Sequence, residues 1–111
     1  MLGLGTQAGR LCYQKTMATK VALLHLEVSI DDAMSLKDKR RVVKSFKDRL
    51  AHAHNVSVAE VDYLDSTRRA LLAVAMVGND GRYLEGALQQ IVNTARANHG
   101  WVLLNHEIEI I

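Results

Sequence analysis

Five cations between Ser35 and His54 give this chain its clearest chemical signal. In SLKDKRRVVKSFKDRLAHAH, Lys37, Arg40, Arg41, Lys44 and Lys47 fall within about 120° of one another on a helical wheel, with only Asp48 breaking the run. Ammonium and guanidinium groups in such a row suit the phosphates of a nucleic-acid backbone, which are contacted for position rather than for base sequence. Arg68 and Arg69, further along, are candidate additions to the same surface. The segment carries seven Lys/Arg (37, 39, 40, 41, 44, 47 and 49) against Asp38 and Asp48, a net of +5. Arg10, Lys15 and Lys20 add +3 before it, so the rest of the chain carries −6 to reach the total of +2. Charge is therefore polarised along the sequence, and the solvated face of a helix is the plain alternative to a phosphate-binding one.

Other reactive groups are sparse. His52 and His54 are two apart and diverge on a helix, whereas zinc-binding helices space their ligands by four. His25 reaches Asn105 or Glu107 only if the first and last strands are neighbours, and a histidine beside a sheet-face carboxylate is more often an ordinary polar pair than a general base. Ser35 is better placed to cap a helix than to attack a substrate. Gly78-Asn79-Asp80-Gly81 is too short for a phosphate-binding loop and lacks its lysine. The single cysteine, Cys12, has no partner for an internal disulfide, and no C-x-x-C unit occurs. The expectation is a protein that is not an enzyme, with no catalytic residue, metal or cofactor assigned, in a reducing cytoplasmic setting. No membrane partner is expected, because no apolar run approaches the eighteen or so residues of a spanning helix. Residues 1–16 are interrupted too often by Gly, Gln, Arg and Lys to form a secretory core.

The elements that must position the cations follow from periodicity. Leu36, Val42, Val43, Phe46, Leu50 and Ala53 form an apolar stripe about 120° wide beside the basic flank, which makes the segment an amphipathic helix. Ser35 with Asp38 resembles a capping box at its start, and Asn55 suits a left-handed position at its end. Before it, Ala22, Leu24, Leu26, Val28 and Ile30 alternate with a more polar set in a first strand. After it, residues 56–64 read as a strand whose alternation slips between Val58 and Val61, as at a bulge or an edge. Residues 65–68 make a polar turn into an apolar central strand over 69–77. Asn79 or Asp80 caps a second amphipathic helix running to about His99, with Leu84, Leu88, Ile91, Val92 and Ala95 inward and Gly100 closing it. In the last strand, 101–111, Val102, Leu104, Ile108 and Ile110 share one face.

Strand, helix, strand, strand, helix, strand is the α+β, ferredoxin-like βαββαβ order. It predicts a four-stranded antiparallel sheet with strands one and three central and both helices on one face. The other face is then open, and Val21, Leu23, Ala75, Trp101 and Leu103 are the candidate interface residues on it. A homodimer, or another protein partner, is thus the second functional reading. At 111 residues there is one domain, expected over 20–111 after a tail of residues 1–19, with Met17 as an alternative native start.

SLKDKRRVVKSFKDRL at 35–50, NVSVAEV at 55–61, the 65–70 turn, VGND at 77–80 and the closing EIEII together resemble the YlxP-like family, a bacterial domain of unknown function (DUF503). The resemblance runs from about Val21 to Ile111. It implies a ferredoxin-like fold and a genomic setting beside translation and ribosome-maturation factors, hence structured RNA or a ribosomal particle as partner; it implies no established activity. The family's turn often carries Asp followed by Trp and Gln-Arg. Asp65, Arg69 and Ala70 fit that pattern, whereas Thr67 stands in the Trp position. Strands one and three carry no aromatic residue, so recognition of backbone shape is expected rather than base stacking on the sheet.

Overall fold

Period-two alternation builds the sheet of this protein and decides which side of it is covered. The computed structural model describes residues 18–111, so Cys12, a start at Met17 and all but Ala18 and Thr19 of the expected tail lie outside the described residues. Six elements follow in order: β1 (Lys20–Ser29), α1 (Leu36–Ala53), β2 (Val56–Asp62), β3 (Arg69–Gly78), α2 (Gly81–Arg96) and β4 (Val102–Ile110). The strands form one antiparallel sheet in the order β2-β3-β1-β4, which is the ferredoxin-like arrangement expected from the sequence. Every even residue of β1 from Ala22 to Val28 is buried, as are Ala70, Leu72, Val74 and Met76 of β3. Both helices cover that face: Val43, Phe46 and Leu50 of α1 join Leu84, Leu88, Ile91, Val92 and Ala95 of α2 in one core. α1 lies over β2, and α2 lies over β1, β3 and β4.

The helix ends are set by local hydrogen bonds. Ser35 is extended and its hydroxyl accepts from the Asp38 amide at 3.1 Å, while the Asp38 carboxylate accepts from the Met34 amide at 3.0 Å. At the other end the His54 amide donates to the Leu50 carbonyl at 2.8 Å from an extended backbone. Asn55 is not left-handed as expected; among the described non-glycine residues only Tyr63 has a positive φ, at 60°. Asp80 caps α2, accepting from the amides of Arg82 and Tyr83. After α2, Gly100 turns the chain at φ 95°, where an added Cβ would also lie 3.3 Å from Val42.

The last strand departs from simple alternation. A bulge opposite Glu27 and Val28 inserts Leu104 between Asn105, which pairs with Glu27, and Leu103, which pairs with Val28. One inserted residue exchanges the faces of everything before it. Trp101 and Leu103 therefore belong to the helix side, not to the open face where the sequence placed them. Trp101 is 7% exposed and meets Phe46 edge to face at 4.7 Å between centroids, with its Nε1 donating to the Ala95 carbonyl at 2.8 Å. Leu104 is exposed instead. β2 has its own irregularity at Val61, between Glu60 and Asp62, as its broken alternation suggested.

One charged side chain sits inside the core. Lys39 is 0% exposed, and its ammonium donates to Glu60 Oε2 at 2.7 Å, to the Tyr63 carbonyl at 2.9 Å and to the Arg69 carbonyl at 3.3 Å, with the Leu64 carbonyl at 3.5 Å. Three donors find close acceptors, as an ammonium withdrawn from water requires. The pair joins α1 to β2 and to the hairpin that follows it.

Two outcomes are expected from this packing. In urea unfolding, Lys39→Met should cost about 3–5 kcal/mol by stranding Glu60 and the carbonyls, while Lys39→Met with Glu60→Leu should recover most of the loss. Trp101, the single tryptophan, should emit at short wavelength in the folded protein, resist quenching by iodide and shift to the red on unfolding. Ready quenching in the native state would contradict the bulged register.

Candidate nucleic-acid interface

Burying Lys39 fixes the roll of α1. On the helical wheel it lies among Phe46, Leu50 and Val43, so the opposite half of α1 must face solvent. Lys37, Arg40, Arg41 and Lys44 are exposed, and Lys47 is half-buried at the margin of the stripe. Lys37, Arg40 and Lys47 make no ion pair among the described residues. Arg41 lies 3.9 Å from Asp38 and Lys44 lies 2.7 Å from Asp48, with all four side chains open to water. Such exposed pairs contribute about 0.2–1 kcal/mol and are screened by salt, so they yield readily to a phosphate. The structure thus brings all five cations onto one helix surface.

The two arginines of the hairpin part company. Arg68 donates from Nε to the Ala33 carbonyl at 3.0 Å, and its own carbonyl accepts from the Ile30 amide at 2.9 Å. It ties the hairpin to the loop that leads into α1. Arg69 pairs with Ser29 across β3 and β1 and so projects from the opposite, open face of the sheet. There it meets Glu27 at 2.9 Å and lies 5.5 Å from the centre of the Tyr63 ring. Strand alternation separates it from the α1 surface, and it does not extend that surface.

The open face is apolar at one end and polar at the other. Val21 faces Val77 and Leu23 faces Ala75 across the β1 and β3 register, placing Val21, Leu23 and Ala75 on the open side as expected. Toward the other end, His25 stands opposite Glu107 and Glu27 opposite Asn105, around a shallow hollow of about 280 Å³ also lined by Leu71 and His106. His52 is exposed on the last turn of α1. Among the described residues no group of three or more His, Cys, Asp or Glu is arranged to hold a metal ion. No described helix is long and apolar enough to cross a membrane.

Reading the sequence for charge alone missed three residues that shape this region. By charge Lys39 belongs with the other cations, although its wheel position in the middle of the apolar stripe carries the signal that it points inward. Arg49 belongs with them by charge too, but its Nη2 donates to Asn98 Oδ1 and its guanidinium lies 5.9 Å from the centre of the Phe46 ring. Tyr63 had no such signal: its left-handed backbone is held by contacts from Asp62, Lys39 and Ser66 that only the fold assembles.

Comparison with known proteins covers the same part of the chain. The family model described as "Protein of unknown function (DUF503)" matches residues 21–108. The uncharacterized protein YlxP of Bacillus subtilis (strain 168) is 33% identical over 72 residues, spanning 65% of this chain and 78% of that protein. Among solved structures, the de novo designed protein Foldit4 aligns over 84% of this chain and 93% of its own, with a TM-score of 0.48 and 16% identity. The match across β1 to β4, with the curated relative beside it, shows that the chain belongs to the YlxP-like DUF503 family.

Proposed function

We propose that this protein is a non-enzymatic, cytoplasmic accessory factor that docks on structured RNA or a ribosomal particle through the outer face of α1. The observation that carries the reading is the geometry of that face. Lys37, Arg40, Arg41, Lys44 and Lys47 stand on one surface, and among the described residues their ion-pair partners are half-exposed Asp38 and exposed Asp48. Cations on a rigid helix keep fixed spacing, which favours a regular array of phosphates over scattered counter-ions. Arg68, exposed and tied to the Ala33 carbonyl in the loop that leads into α1, is the candidate extension of this surface. The affinity is electrostatic, and no base is read by an aromatic platform.

A second reading is supported by the open sheet face and is compatible with the first. Val21, Leu23 and Ala75 are half-buried there, and Val77 beside them is 58% exposed. Contact with a second copy would cover this strip; Trp101 and Leu103 have no part in it.

For the first reading, binding to ribosomal particles should weaken with salt at a slope of roughly −3 to −4 in log affinity against log concentration, for about five phosphate contacts. The combined variant Arg40→Glu, Arg41→Glu, Lys44→Glu should abolish binding while keeping the unfolding free energy within about 0.5 kcal/mol per site of the native value. Unchanged binding by that variant contradicts the docking role. For the second, light scattering at micromolar concentration should give a dimer mass that Leu23→Asp converts to a monomer; a native monomer at that concentration removes the reading.

A further inference from the structure

Between α1 and the end of α2 lies a cationic feature that shares only Arg41 with the helix flank. Two adjoining hollows, of about 520 and 190 Å³, lie between them. Arg41, Val42, Ser45 and Arg49 line them from α1, with Thr94, Asn98 and His99 opposite, and no carboxylate lines either one. Arg49 is the built part. Its Nη2 donates to Asn98 Oδ1 and its guanidinium rests on the Phe46 ring, while Asn98 is itself 8% exposed and donates from Nδ2 to the His99 carbonyl at 3.1 Å. A neutral amide acceptor fixes the direction of the guanidinium without cancelling its charge, so the remaining donors of the fork stay available. Arg49 makes no ion pair among the described residues. Of the C-terminal carbonyls of α2, whose negative end disfavours an anion, Ala95 accepts from Trp101 Nε1 and the Asn98 amide, and Asn93 from the Ala97 amide, so the attraction in this cleft comes from the arginines.

We infer that this cleft binds a phosphate group, with Arg49 and Arg41 as its ligands and Ser45 and His99 at its walls. The inference rests on the docking reading above and extends it, since a backbone following α1 passes from the exposed flank into the cleft at Arg41. The decisive variant is Asn98→Asp, which keeps an acceptor for Arg49 and neutralises its charge. Asn98→Asp and Arg49→Gln should each weaken binding of a structured RNA hairpin and lower the salt slope by about 0.7–1, with Asn98→Asp still folded, its new ion pair to Arg49 set against the lost Nδ2 donor to the His99 carbonyl. If Arg49 serves only to staple helix to loop, Asn98→Asp binds the hairpin as the native protein does, and the inference is overturned.

A flank variant outside the cleft, Lys37→Glu with Arg40→Glu and Lys44→Glu, separates the two proposals. Loss of binding in the flank variant with full binding in Asn98→Asp leaves the docking reading and removes the cleft. Full binding in both removes both. NMR titration of the native protein then tells the sources apart by the Arg49 Nε–H signal and the amides of Thr94 to His99. Shifts with inorganic phosphate alone support a small phosphate ligand, shifts with the hairpin only support a phosphodiester, and no shift with either contradicts the site.

Discussion

A single buried ion pair, Lys39 to Glu60, sets the orientation of everything that gives this molecule a chemical character. Of the cations on α1, Lys39 alone is drawn wholly into the interior, and it reaches one carboxylate and the carbonyls of a neighbouring hairpin. Taking an ammonium out of water is unfavourable by several kcal/mol unless its donors are met, so the helix tolerates only the roll that meets them. That roll sends the other cations outward. The same contacts hold Tyr63 in its left-handed conformation, and so fix the hairpin whose Arg68 buttresses the start of α1.

The sheet divides the remaining chemistry between two surfaces. Its covered side holds one continuous core to which both helices and Trp101 contribute. On its open side, apolar pairs near one end give way to Glu27, Arg69, Tyr63, His25 and Glu107 at the other. Positive charge gathers on α1, and the acidic residues of β4, Glu107 and Glu109, lie at the far edge of the sheet. The modest net charge of +2 hides this separation, which is a property of the fold.

Element order, strand pairing and both helix starts were legible because each rests on a short-range rule. Alternation gave β1, a continuous apolar run gave β3, a 3.6-residue stripe gave both helices, and Ser35 and the Asn79-Asp80 pair marked their starts. The side of β4 on which Trp101 and Leu103 lie was not legible. The bulge shows only in the pairing of β4 with β1, and period-two counting along one strand passes over the inserted Leu104. Five of the candidate cations were brought together because a helix face is local. Arg69 was not, because the face of a strand residue depends on the registry of its partners. The destination of Lys39 lay between these cases: its wheel angle was available, but its acceptors are 21 to 30 residues away in sequence.

The most direct test of this account is lysine footprinting by acetylation, read by mass spectrometry with and without a structured RNA hairpin. In the free protein Lys37, Lys44 and Lys47 should react while Lys39 does not. With RNA bound those three should become protected, and Lys20, at the start of β1, should react as before. Ready acetylation of native Lys39, or equal reactivity of Lys37, Lys44 and Lys47 with and without RNA, would contradict an inward-anchored helix that offers its cationic side to phosphate.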